Sequence, residues 1–211
     1  MMRRTSFRAG AWFNRRLLVV GVLALAACSA GNVPRDSYYR LGELSTPAPL
    51  EGGPIKGVID VPPFRAAGIV NERAILFRDG PSQLAQYSYH HWFEPPGALL
   101  QRATINSLRS ASAFEAVTSP ELRLDRDFEL LGNLRRFEHI PATSSVVVEI
   151  DVSLRRVRGN ESLILKSYSA EVSAPGNGAE AAVSGFSKAL DQIFAELLHD
   201  LAKFRPDAAA P

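Results

Sequence analysis

The side chains best suited to binding a metal or moving a proton are four histidines, His90, His91, His139 and His199, and they are scattered along the chain. His90 and His91 are adjacent, and neighbours on a strand face opposite ways, so the pair is poorly placed to share one ion. The sequence contains no Gly-x-Ser-x-Gly elbow, no phosphate-cradling loop and no Gly-x-Gly-x-x-Gly turn. No catalytic residue, metal or cofactor is therefore expected. Cys28 is the single cysteine, which excludes a disulfide framework and a cysteine-rich zinc site.

The place of that cysteine is informative. It ends an apolar run of 11 residues, from Leu17 to Ala27, that follows Arg3, Arg4, Arg8, Arg15 and Arg16. A helix needs about 20 apolar residues to span a bilayer, so the run suits the apolar core of an export signal. Leu25-Ala26-Ala27-Cys28 resembles the bacterial lipobox, in which the cysteine becomes the lipidated first residue of the mature chain. Residues 1–27 are then a signal peptide, and Cys28 is the lipidation site. Each buried methylene contributes roughly 0.8 kcal/mol, so two or three acyl chains hold stably where one holds marginally. Ser29 follows the cysteine where an aspartate would favour retention, so by resemblance to enterobacterial sorting the anchor belongs in the outer membrane, with the folded domain in the periplasm.

Composition sets the class of the remainder. The whole chain carries +2, but the leader holds five arginines and no acid, so the rest is slightly acidic and offers no basic surface for nucleic acid. With 46% hydrophobic and 22% charged residues, the whole chain has the composition of an ordinary folded domain. The expected organisation is a tether over 28–36, one domain over 37–205 and a flexible tail over 206–211.

Ser37 to Gly42 is a short β-rich stretch, and Ser45 to Pro54 a Pro/Gly-rich loop. Ile55 to Val61 alternates as a strand stopped by Pro62-Pro63, while Glu72 to Arg78 and Leu84 to Tyr89 form a hairpin across Asp79-Gly80-Pro81-Ser82. From Pro95 a 3.6-residue period runs to about Phe114, with Ile105 alone in the polar half of the wheel, either covered by another segment or exposed for a partner. Phe128 to Phe137, Val146 to Val157 and Leu163 to Val172 are long strands, with a bulge expected near Arg135-Arg136 and a turn at Arg158 to Glu161. Asn177 has the spacing of an N-cap before an amphipathic helix reaching Phe204. The expected fold is α/β of the α+β kind: a single domain with a mixed, mostly antiparallel sheet covered by two main amphipathic helices.

Tyr87-Ser88-Tyr89-His90-His91-Trp92-Phe93 is the densest aromatic stretch. One strand cannot bury all its rings on one face, so Tyr87, Tyr89, Trp92 and Phe93, with Ile105, are candidate partner-binding residues beside the simpler reading that Tyr87, Tyr89 and Trp92 pack as core.

The order of Cys28, Tyr38-Tyr39-Arg40-Leu41, Ile59-Asp60-Val61-Pro62-Pro63, Asn71-Glu72-Arg73-Ala74-Ile75, Tyr87 with Trp92-Phe93-Glu94-Pro95-Pro96, Phe114-Glu115-Ala116-Val117 and Glu129-Leu130-Leu131-Gly132-Asn133-Leu134 resembles the ABC-type transport auxiliary lipoprotein family, the PqiC-like proteins. The resemblance implies a non-catalytic docking subunit of an MCE-type (Pqi/Mla-like) lipid transport system. Its partners would be the membrane, through lipidated Cys28, an MCE-domain protein and inner-membrane transporter components, or a second copy of the chain. The alternative is a periplasmic lipid-binding chaperone that holds a hydrophobic ligand between sheet and helices, in a cavity of several hundred Å³.

Overall fold

The computed structural model describes residues 34–204. Cys28, the apolar run before it and the tail after Arg205 lie outside the described residues. Nine strands and two helices make up the domain: β1 (Ser37–Tyr39), β2 (Ile55–Asp60), β3 (Arg65–Ala66), β4 (Ala74–Arg78), β5 (Leu84–Trp92), α1 (Pro96–Ser110), β6 (Phe114–Thr118), β7 (Phe128–Ile140), β8 (Ser145–Arg156), β9 (Glu161–Ser173) and α2 (Ala179–Lys203).

The sheet is organised around β7. One of its edges pairs antiparallel with β8 from Phe128↔Arg156 to Ile140↔Ser145, and β8 continues antiparallel into β9. The other edge receives three parallel strands in succession, β2 at Phe128–Glu129, β3 at Asn133–Leu134 and β4 at His139. The hairpin partner β5 and then β1 extend the sheet beyond β4, and β6 lies outside β2. The long ladders are therefore antiparallel, while β1–β5 and β2–β6 are parallel pairs that only non-local chain paths can make.

The β7–β8–β9 meander obeys the alternation in its sequence. Leu130 and Leu134 of β7, and Val146, Val148, Ile150, Val152 and Leu154 of β8, are buried under the helices. Asn133, Asp151 and Ser167 occupy one cross-strand row and are hydrogen-bonded through Asp151. The bulge expected near Arg135 is present, as the register slips between Leu134 and Arg136. Gly159 and Asn160, both at positive φ, make the tight β8–β9 turn. Two nearly buried carboxylates sit near opposite ends of β7, each held by two arginines: Glu129 by Arg126 and Arg155, and Glu138 by Arg78 and Arg136. Because each carboxylate has two arginines and these are partly exposed, losing one arginine should cost less than the roughly 3–5 kcal/mol of breaking a fully buried pair.

Between sheet and helices lies an aromatic cluster in which Trp92, Phe137 and Phe186 stand 4.2–5.5 Å apart by ring centroids. Phe64, just after Pro62-Pro63, is clasped by two glycines. A Cβ on Gly97 would strike its carbonyl oxygen, and a Cβ on Gly132 would overlap its ring. The diproline thus ends β2 and turns the chain so that Phe64 lies between the start of α1 and the middle of β7.

Two expectations are corrected and one open alternative is decided. Phe114 does not continue the helix: Ser112 adopts φ 48° and Ala113 N–H reaches back to Leu108 O at 2.9 Å, a left-handed closure that ends α1 without a glycine. Phe114 then opens β6, opposite Ile55. Asn177 is not the N-cap of α2. Gly178 occupies that position, and Asn177 Oδ1 instead accepts from Ser144 Oγ at 2.7 Å. Ile105, placed among polar residues on the wheel, is 8% exposed and belongs to the core. It lines a shallow depression with Ser119, Glu121 and Leu122, the segment that follows β6 and covers this flank of α1.

Candidate functional site

A large bulge in β5 distributes the aromatic stretch. Leu76 of β4 pairs with Gln86 and Ala74 with His91, so the four residues Tyr87 to His90 stand opposite Ile75 alone. Tyr89 takes φ 64°, a left-handed conformation uncommon for a residue other than glycine. Simple alternation is lost, and each ring goes its own way.

Tyr87 is half-buried against Phe77. Its hydroxyl lies 2.6 Å from Nδ1 of His139 and 3.0 Å from the carbonyl oxygen of Asn177. Burial raises the pKa of the Tyr87 phenol and lowers that of the His139 imidazole, the latter opposed by a hydrogen bond with the Gly176 backbone. The pair is thus neutral in the fold, joining β5, β7 and the approach to α2. His90 lies 2.8 Å from the Tyr39 hydroxyl, and His91 lies near Asp36. His199 is exposed on α2. Among the described residues, no group of three His, Cys, Asp or Glu side chains is placed to hold a metal.

The five sequence-selected residues do not form one surface. Trp92 is 1% exposed and belongs to the aromatic cluster; Ile105 is buried on α1, and Tyr87 is half-buried beside His139. The two exposed members are Tyr89, at 44%, and Phe93, at 48%. Phe93 is fastened by its backbone N–H to Tyr39 O at 2.7 Å, and the Arg40 guanidinium sits 4.2 Å from its ring centroid. Glu94, next in sequence, is ion-paired with Arg102 of α1 at 2.6 Å.

Phe93 stands at the rim of a feature that sequence reasoning missed. After β1 the chain crosses the two helices as a strap. Gly42 N–H donates to Ser187 Oγ at 2.9 Å, Ser45 N–H and Oγ both donate to the Asp191 carboxylate, and Leu50 N–H reaches Ala111 O at 2.7 Å. Beside this strap, between α1 and α2, is a cleft of about 550 Å³ floored by Leu99, Ala103, Phe194 and Leu198. The strap begins where the β-rich stretch outlasts β1 and from Ser45 lies in the Pro/Gly-rich stretch, whose composition announces a loop and carries no period that would show where it packs. The layer between sheet and helices, where the chaperone reading places a ligand, is occupied by Trp92, Phe137 and Phe186.

The architecture around these residues is a sheet built on one long strand and roofed by two helices. The sequence matches the family model of the ABC-type transport auxiliary lipoprotein component over residues 39–197, and the chain belongs to that family. A crystal structure of a Xanthomonas campestris protein is similar at a TM-score of 0.68 and 20% identity, covering 77% of this chain and 92% of that one. A second, uncharacterized protein aligns at a TM-score of 0.65 and 15% identity, covering 80% and 99%. These two share its fold. A PelC dodecamer from Paraburkholderia phytofirmans overlaps at a TM-score of 0.45 and 15% identity, covering 75% and 94%. None of the curated proteins matches the chain.

Proposed function

We propose that this auxiliary component is anchored in the outer membrane through lipid on Cys28, with its domain in the periplasm, and serves an MCE-type intermembrane lipid transport system as a non-catalytic docking subunit. The observation that carries the reading is the family match over 39–197 beginning soon after the sole cysteine, which itself ends a short apolar run. No helix among the described residues is long and apolar enough to cross a membrane, so an anchor at Cys28 accounts for attachment without a described span. The docking role rests on Tyr89 and Phe93, whose exposed rings suit a contact in which aromatic anchors dominate. A second copy of the chain is the other occupant that this surface suits. ATP is used elsewhere in the system, and this subunit holds position.

The test is co-purification of the lipidated full chain with an MCE-domain partner from membranes. Cys28→Ala is expected to abolish acyl labelling and membrane retention, and normal labelling of that variant would overturn the anchor. Phe93→Ala and Tyr89→Ala are expected to keep the fold and weaken partner recovery or self-association by tenfold or more. If both variants leave both associations unaltered, the docking surface lies elsewhere.

A further inference from the structure

The cleft between α1 and α2 has three properties that together define a ligand class. Its floor is apolar, formed by Leu99, Ala103, Phe194 and Leu198. Its volume of about 550 Å³ falls within the 300–1,000 Å³ typical of small-ligand pockets. Its strap wall carries two opposite charges, Arg40 and Glu43, and neither forms an ion pair among the described residues, with the other or with any third group. The remaining charged groups of the lining are already engaged: Glu94 with Arg102, and Asp191 with Ser45.

We infer that this cleft binds a single-chain amphiphile with a zwitterionic phosphate–amine headgroup, its acyl chain along the floor between the helices, its phosphate at Arg40 and its amine at Glu43. Burial of the chain supplies the non-directional part of the binding. The unpaired charges supply selectivity, since a phosphate meets the planar fork of the guanidinium and an ammonium meets a carboxylate. The phosphate also competes for Arg40 with the Phe93 ring, so headgroup capture and the exposure of Phe93 are coupled through one guanidinium. This inference concerns a ligand of the subunit itself and does not depend on which partner the subunit docks.

The experiment uses the full chain in its native membrane and a lysophosphatidylethanolamine carrying a diazirine along its acyl chain. Illumination is expected to place adducts on Leu99, Phe194 and Leu198, competed away by the unlabelled lipid. Ala195 is exposed and lines the cleft, so Ala195→Trp fills the space without entering the core and should reduce those adducts at least tenfold. Asn106→Trp fills it from the opposite wall and stands in if the first variant fails to fold. Arg40→Gln should reduce labelling severalfold with the phospholipid probe and leave a monoacylglycerol probe of the same chain length unchanged. Adducts confined to other surfaces, or adducts unmoved by both tryptophans, would overturn the site. Equal sensitivity of the two probes to Arg40→Gln would overturn the headgroup assignment. Either failure with partner co-purification intact would remove the ligand site and leave the docking function standing.

Discussion

The meander β7–β9 with α2 and the bulged β5 with the Arg40–Leu50 strap obey different rules. In the meander, 24 residue pairs run antiparallel across two ladders, each with one slip, and burial follows the alternation of side chains. In β5, four residues stand opposite one, a tyrosine is left-handed, and the strap leans on both helices with no regular structure of its own. Regular pairing satisfies β8 along both edges and fixes which face each side chain takes, with β9 left as the edge of the ladder. Where pairing breaks, polar groups and rings turn outward, and both the exposed aromatics and the cleft occur there. Stability should therefore reside mainly in the first region and recognition in the second.

Substitutions in both regions test that division. The largest expected effect is Leu197→Asp in α2, which places an unpaired charge among buried side chains under the sheet. It should cost several kcal/mol, roughly 3–5, and an unchanged melting temperature would show that α2 does not pack as described. Next is Gly132→Ala, where a methyl group must displace the Phe64 ring that rests on the glycine. A loss of about 1–3 kcal/mol in denaturant unfolding is expected, and the same substitution should cost less in a chain that already carries Phe64→Ala.

Tyr87→Phe then probes the join between the two regions, because the hydroxyl near His139 and Asn177 is removed while the ring remains. A cost of about 1–2 kcal/mol is expected, since His139 is fully buried and loses a partner. His139 also predicts a pH dependence. Its folded pKa lies below the ordinary 6.5, so the unfolded chain binds the extra proton first. The contribution is fully present above pH 6.5 and is lost as pH falls below it towards the folded pKa. Melting temperature followed downward from pH 7.5 should fall more steeply in the parent than in His139→Asn. Parallel curves would show that His139 is not the group responsible. Asp60 works in the opposite sense, because desolvation raises its pKa above the ordinary 3.8, and its penalty grows as pH rises from that value.

The smallest effect is expected at Tyr89. Tyr89→Gly relieves a left-handed non-glycine residue, and stability should change by less than about 1 kcal/mol in either direction, while association should weaken. A large loss of stability there would mean that the bulge carries the fold as well as its contacts.

The same division explains how far the sequence could be read. Strands β7, β8 and β9, the slip near Arg135, the hairpin at Gly159 and the apolar face of α2 follow from local alternation and turn chemistry, and all are present. The helical period carries on to Phe114, whereas α1 closes at Ser112, a residue type that announces no helix end. A wheel knows only its own helix and leaves Ile105 either covered or exposed; the structure buries it beside the segment from Ser119 to Leu122. The parallel pairings of β1 with β5 and of β2 with β6 join residues far apart in the chain, and no local pattern encodes them. Among the candidate site residues, Tyr89 and Phe93 are exposed as a docking role requires. Trp92 and Ile105 are not, because a four-residue bulge and a covering loop overrule strand and helix periodicity.

The single strand β7 also imposes an order on assembly. A ribosome delivers the N-terminal half first, yet β2, β3 and β4 find their shared edge only when residues 128–140 exist. Until then the early strands have each other at most, as hairpin and parallel pairs, and their remaining edges are open to wrong partners. The meander after residue 128 needs only short loops to close, so in refolding its amides should gain protection from hydrogen exchange first, with β2 and β4 following. The late-made half is thus the template for the early-made half, and a chain truncated before β7 is expected to aggregate rather than to wait.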